Sequence, residues 1–99
     1  MSYGYLGTLT ARYGHRDEVV AILLSGVDGL RVVGCELYVV GVSDVDRNVI
    51  WVTEVWQSKE HHEASLRLPE TQAAIAAAMP LLTGEFTRQE LTIVGGLGV

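Results

Sequence analysis

Apolar and polar positions along this chain follow two alternating rhythms. From Gly4 to Tyr13, a stretch dense in Tyr, Leu and Thr, the residues Tyr5, Leu9, Ala11 and Tyr13 share one parity with Tyr3, which predicts a strand. Gly14 interrupts it. His15 to Ser25 then places Arg16, Asp17 and Glu18 in a first turn ahead of Val19, Ile22 and Leu23 at helical spacing, with the two carboxylates at the positive end of the helix dipole. Gly26 and Gly29 close that helix, and Arg31 to Val42, rich in Val, Leu and Tyr, predicts a second strand. SDVDRN, Ser43 to Asn48, is a turn by composition, and the β-branched and aromatic VIWVTEVW, Val49 to Trp56, completes a hairpin.

A helix begins near Ser58, a suitable N-cap, and Pro69 fits the first turn of another that runs from Glu70 to Met79. Its AAIAAAM run favours helix but is thin in side-chain volume, so it can lie close to a sheet or leave space beside it. Pro80 ends it, and Glu85 to Val94 predicts a fourth strand. The GGLGV tail has no pattern that fixes its place. The order β-α-β-β-α-β predicts one α+β, ferredoxin-like domain over residues 1–99, an antiparallel sheet with its helices on one face.

In the second strand Val32, Tyr38, Val40 and Val42 hold one parity and Val33, Cys35, Leu37 and Val39 the other, so both faces are apolar. An antiparallel sheet wet on one side alternates apolar with polar. Because helices cover one side only, the other is expected to meet the same face of a second copy across a two-fold axis, giving a homodimer. A domain of 99 residues has a modest core, burying about 60–65% of the surface its unfolded chain exposes, and gains from association.

Seven Lys and Arg stand against twelve Asp and Glu, for a net charge of -5 with no basic run. That pattern offers phosphates no electrostatic footprint, so neither a nucleic acid nor an anionic membrane surface is an expected partner. No apolar stretch approaches the roughly 18 residues of a membrane span, and MSYGYLGTLTARYG lacks the pattern of a secretory leader; a cytoplasmic protein is expected. Cys35, the single cysteine, reads as a small, reduced core residue.

The chemistry concentrates in EVWQSKEHH, Glu54 to His62. Trp56 shares its parity with Ile50, Val52 and Glu54, which places it beneath the helices, where an indole either fills the core or stacks on a flat aromatic ligand. An unpaired Glu54 on that face would have a raised pKa and serve as a base; its alternative is an ion pair with Arg88 or Arg12. His61 and His62 point about 100° apart on a helix, so at most one faces a pocket, the other belonging to a solvated helix start. They make a poor metal pair with no third ligand in view, and no metal is expected.

The opening strand with GHRDE at its helix start, E-x-W at Glu54 and Trp56, SKEHHEASL from Ser58, and MPLLTGEF from Met79 together resemble the antibiotic biosynthesis monooxygenase family over nearly the whole chain. That family comprises dimeric α/β-barrel proteins and includes small quinol and anthrone oxygenases. The resemblance implies a pocket between sheet and helices in each subunit, where some members oxidise polycyclic phenols or quinols with molecular oxygen and no metal or flavin. Many members place a histidine nine residues beyond this Trp, where Ser65 stands here. Haem-degrading relatives use an asparagine in the first strand, where this chain has Gly, Leu and Thr around Thr8.

Oxygenation without a cofactor requires a substrate that is its own reductant, a base to ionise it, donors for the developing oxyanion and an apolar pocket. His62 or His61 is the candidate base beside Glu54 and Trp56. Tyr38, Thr8 and Ser65 are candidate hydrogen-bonding residues for the substrate, and Met79 a pliable wall. The expected function is a monooxygenase acting on a quinol, anthrone or related phenol; the alternative is a non-catalytic dimeric module that binds an apolar small molecule.

Overall fold

A computed structural model describes residues Met1 to Val99. Four strands form one antiparallel sheet in the order β2-β3-β1-β4: β1 spans Ser2–Ala11, β2 Cys35–Val42, β3 Val49–Trp56 and β4 Leu82–Ile93. Two helical stretches lie between strands, α1 (Arg16–Leu24) with a short α2 (Val27–Leu30) before β2, and α3 (Lys59–Ser65) with α4 (Pro69–Ala78) before β4. This is the ferredoxin-like α+β arrangement that the order of elements predicts.

The second strand starts later than its composition suggests. Arg31–Val33 forms a single 3-10 turn, and Gly34, at φ 104°, makes the left-handed step into β2 that a side chain would resist. The two-parity pattern of this strand also changes in space. A bulge between Cys35 and Leu37 sets Cys35 opposite Trp56 and Tyr38 opposite Glu54, so Cys35 joins the face of Tyr38 despite its odd number.

The helix-side core is small: Ala11, Val19, Ile50 and Val52 are buried together, with Val20, Leu23, Tyr38 and Val40 packed around them. Full burial of Val19 contributes about 1.5–3 kcal/mol. Ser43 ties the hairpin turn by accepting from the N–H groups of Val45 and Asp46, both at 3.1 Å. Pro80 sits in the 3-10 turn that ends α4, and of α4's alanines only Ala78 is buried. The far face of the sheet carries Val39, Trp51 and Leu91, which are 50%, 45% and 46% exposed.

Candidate active site

Pairing register brings the start of β1 beside the end of β3. Tyr3 lies opposite Trp56 and Tyr5 opposite Glu54, all on the helix side. α3 follows β3 after only Gln57 and Ser58, so its first turn folds back over this end of the sheet. Ser58 caps it, accepting from the N–H of His61 at 3.2 Å. The cap fixes how the two histidines divide. His61 turns outward, its Nδ1 2.6 Å from Ser58 Oγ and its ring above Gly34, where a Cβ would lie 2.6 Å from His61 Cδ2. His62 turns inward and is 7% exposed.

Three aromatic rings enclose His62. Tyr5 and Tyr3 lie at centroid distances of 4.9 and 5.5 Å, tilted, and Trp56 approaches edge-on at 5.5 Å. One oxygen of Glu54 accepts the indole N–H of Trp56 at 2.9 Å and lies 3.7 Å from His62 Nε2. The second distance is an electrostatic contact, longer than a hydrogen bond.

Burial pushes this pair toward its neutral forms. Desolvation raises the Glu54 carboxyl above its ordinary range, opposed by the Trp56 hydrogen bond. Desolvation lowers the His62 imidazole, opposed by the charges of Glu63 and Glu90. The neutral imidazole is the form that accepts a proton, and the Glu54 oxygen stands where an ionised carboxylate would stabilise the cation so formed. On the outer side Tyr3 Oη donates to Glu90 at 2.9 Å, and Lys59 Nζ pairs with the same oxygen at 3.2 Å. Burial, then this hydrogen bond, pushes the Tyr3 phenol up to about 12.

The structure gathers some predicted residues and separates others. Glu54, Trp56 and His62 meet, and Tyr38 stands next to Glu54 across the strand pair, its phenol raised by burial and then by the Glu54 charge. Ser65 is buried one turn along α3 and donates to the His62 carbonyl at 2.6 Å, so its hydroxyl serves the helix backbone. Thr8 lies on the opposite face of the sheet, bonded to Thr87 at 2.6 Å, because its parity is that of Leu6 rather than Tyr5. Met79 lies at the other end of the molecule, with Leu9, Leu82 and Phe86. Neither Arg12 nor Arg88 pairs with Glu54: Arg12 donates to the Pro80 carbonyl, and Arg88 stands opposite Gly7.

Tyr3 and Tyr5 were absent from the sequence-based candidates, although their shared parity put both on the face of Trp56. A cleft of about 220 Å³ between α2 and β2 adjoins this cluster, lined by Val27, Asp28, Leu30, Arg31 and by Cys35 to Tyr38. No three His, Cys, Asp or Glu side chains are grouped to hold a metal ion, and no helix is long and apolar enough to cross a membrane.

A family model described as antibiotic biosynthesis monooxygenase matches residues 3–77, which include every member of this cluster except Glu90. The chain belongs to the antibiotic biosynthesis monooxygenase family. A crystal structure from Chloroflexus aurantiacus J-10-fl that carries the same family description is 43% identical, with TM-score 0.87 over 97% of this chain and 96% of that one. Another of that description, from Caulobacter crescentus CB15, is 22% identical with TM-score 0.86 over 95% and 91% of the two chains. Rv0793 from Mycobacterium tuberculosis is 18% identical with TM-score 0.83 over 98% and 99%. These last two share the fold. No curated protein matches the chain. Membership in the antibiotic biosynthesis monooxygenase family makes this a monooxygenase-like fold, with the Glu54, Trp56 and His62 cluster at the end of its sheet.

Proposed function

We propose that the protein is a monooxygenase that oxidises a quinol, anthrone or related phenolic compound with molecular oxygen, without a bound metal or flavin. The observation that carries this reading is the buried Glu54 and His62 pair, 3.7 Å apart and enclosed by Trp56, Tyr3 and Tyr5. His62 takes the phenolic proton and Glu54 stabilises the imidazolium that results. The phenolate passes one electron to oxygen, and the resulting superoxide couples with the substrate radical at a ring carbon to give a hydroperoxide. Loss of the C–H proton from that carbon then breaks the O–O bond. One oxygen atom remains as a new carbonyl and the other leaves as water, so the substrate is the only reductant. Enclosure by aromatic rings limits water at the reacting atoms.

The far face of the sheet supports a homodimer in this reading. Val39, Trp51 and Leu91 leave about half of each side chain open there, on a sheet whose helices cover only the other side.

Oxygen uptake by the purified protein with a panel of quinols and anthrones, spontaneous oxidation subtracted, tests the activity. Saturable uptake that places one atom of ¹⁸O₂ in the product supports it, and uptake no faster than background with every compound counts against it. One observation favours a second reading, a non-catalytic module that binds an apolar molecule: Ser65, where many relatives carry a histidine, spends its hydroxyl on the helix backbone. Saturable binding without uptake would select that reading.

A further inference from the structure

The His62 ring has no hydrogen-bonding partner in the chain, since its contact with Glu54 at 3.7 Å is too long for one. Its direction is therefore set by the rings packed against it. Trp56 is buried and pinned by Glu54, whereas Tyr3 lies on the outer side with its hydroxyl held by Glu90 of β4. Glu90 stands directly opposite Tyr5 in the β1–β4 register and reaches the Tyr3 hydroxyl on the diagonal. The same Glu90 oxygen takes the Lys59 ammonium at 3.2 Å, and Lys59 precedes His62 by one turn on α3. Contacts thus run in a closed circuit: from α3 through Lys59 to β4, from β4 through Glu90 to β1, and from β1 through Tyr3 back to the imidazole on α3.

We infer that Glu90 is a positioning residue for His62: acting through Tyr3 and anchored by Lys59, it keeps the imidazole turned toward Glu54. The inference rests on the oxygenase reading only for the use made of that orientation. Glu90 and Lys59 are each about half exposed, and an ion pair so placed contributes little to stability. What it does is geometric, because it joins the helix that carries the imidazole to the ring on which the imidazole rests. The hydrogen bond from Tyr3, then Lys59, holds the Glu90 carboxyl below the usual carboxylate range, so it is ionised at neutral pH and stays an acceptor. The titratable groups around His62 are Glu54 on β3, Tyr3 and Tyr5 on β1, Lys59 and Glu63 on its own helix, and Glu90 on β4. Burial lowers the His62 pKa, and the charges of Glu63 and then Glu90 oppose it.

The ¹H and ¹³C shifts of the His62 ring, read in the substrate-free protein, test this, because they report the aromatic rings around it. Glu90→Ala removes the acceptor, Tyr3→Phe removes the donor, and Glu90→Gln keeps an acceptor without its charge. At about pH 8, above the ordinary histidine pKa of about 6.5, Glu90→Ala and Tyr3→Phe are expected to move the ring signals in the same direction. The double variant is expected to move them no further than either alone, the non-additivity of residues that act through one contact. Glu90→Gln is expected to restore the parent shifts and yet lower the His62 titration midpoint, since the charge that favours the imidazolium is gone; a merely structural residue would not separate the two. Where a quinol turns over, Glu90→Ala is expected to lower kcat by up to about 100-fold, the loss that a misplacement of about 1 Å can give, with KM unchanged. Ring signals in Glu90→Ala that match the parent would overturn the inference, as would effects of Tyr3→Phe and Glu90→Ala that add. Glu90 lies on an exposed edge strand, so its variants spare the core and decide even where Tyr3→Phe does not fold. A protein that shows these shifts but consumes no oxygen loses the oxygenase reading and keeps the positioning; one that consumes oxygen with parental shifts in Glu90→Ala does the reverse.

Discussion

Glu54 accepts the indole N–H of Trp56, two residues further along the same strand, at 2.9 Å. Neighbours at i and i+2 share a face of a sheet, so E-x-W is a spacing that lets a tryptophan hold a buried carboxylate without help from another element. Trp56→Phe keeps the ring and removes the donor. It is expected to raise the Glu54 pKa further and to destabilise the fold by about 1–3 kcal/mol, the range for leaving a buried polar group without its partner. Urea denaturation at neutral pH measures the loss, and an unchanged midpoint would show that the hydrogen bond contributes nothing.

Glu54→Gln separates charge from shape. The amide oxygen can still accept from Trp56, but the group can no longer carry a negative charge beside His62. Turnover is expected to fall by about 100-fold or more, in the range ascribed to a positioned acid or base, with KM little changed. Steady-state oxygen uptake reads both values, and a variant as fast as the parent would remove Glu54 from the reaction.

The pair gives stability two pH dependences of opposite sign. The folded His62 pKa lies below its ordinary value of about 6.5, so between these values the unfolded chain binds more protons and acidification destabilises the protein. The folded Glu54 pKa lies above its ordinary value of about 4.3, so the folded state keeps a proton that the unfolded chain releases, and stability is lost as pH rises through that window. Tm measured from pH 4 to 7 should rise with pH more steeply in Glu54→Gln than in the parent, and less steeply in His62→Gln. Parallel curves for all three proteins would mean that neither group titrates differently on folding.

Gly34→Ala tests the seat of His61. The position has φ 104°, and the added Cβ would stand 2.6 Å from His61 Cδ2. Strain and overlap together are expected to cost more than about 1 kcal/mol, visible as a lower Tm, and to displace His61 from Ser58. If the variant melts with the parent, the left-handed step is not required for folding.

Trp51→Glu addresses the far face. Sedimentation of the parent at micromolar concentration is expected to give a dimer mass and that of the variant a monomer mass, because a carboxylate at this place would have to be desolvated against its own symmetry mate. A parent that sediments as a monomer would sink the dimer.

The parity of β3 was legible in the sequence, and with it the joint placement of Ile50, Val52, Glu54 and Trp56 under the helices. Helix geometry allowed only one of His61 and His62 to face inward but did not say which; the Ser58 cap holds His61 outward and His62 is the buried one. What failed did so where position depends on partners distant in the chain. Glu90 reaches Tyr3 only because β4 pairs with β1 across 87 positions of sequence, and no local pattern announces that register. Thr8 is a different case, since its parity alone set it against Tyr3 and Tyr5 and could have excluded it. Met79 was placed on a pocket wall by composition, which says nothing about which end of the sheet the helix approaches.

The bulge at the start of β2 makes the floor of the site a matter of counting. Between Cys35 and Tyr38 lie two residues, where a regular strand that kept both on one face would have one or three. Removing one residue from this short interval would abolish the bulge and leave Cys35 and Tyr38 on one face of a regular strand, whereas a chain that keeps both residues but pairs them without the bulge puts them on opposite faces. Alignment of any relative with this chain therefore has to be settled here first, since a single misplaced gap would assign the pocket to the wrong half of the strand.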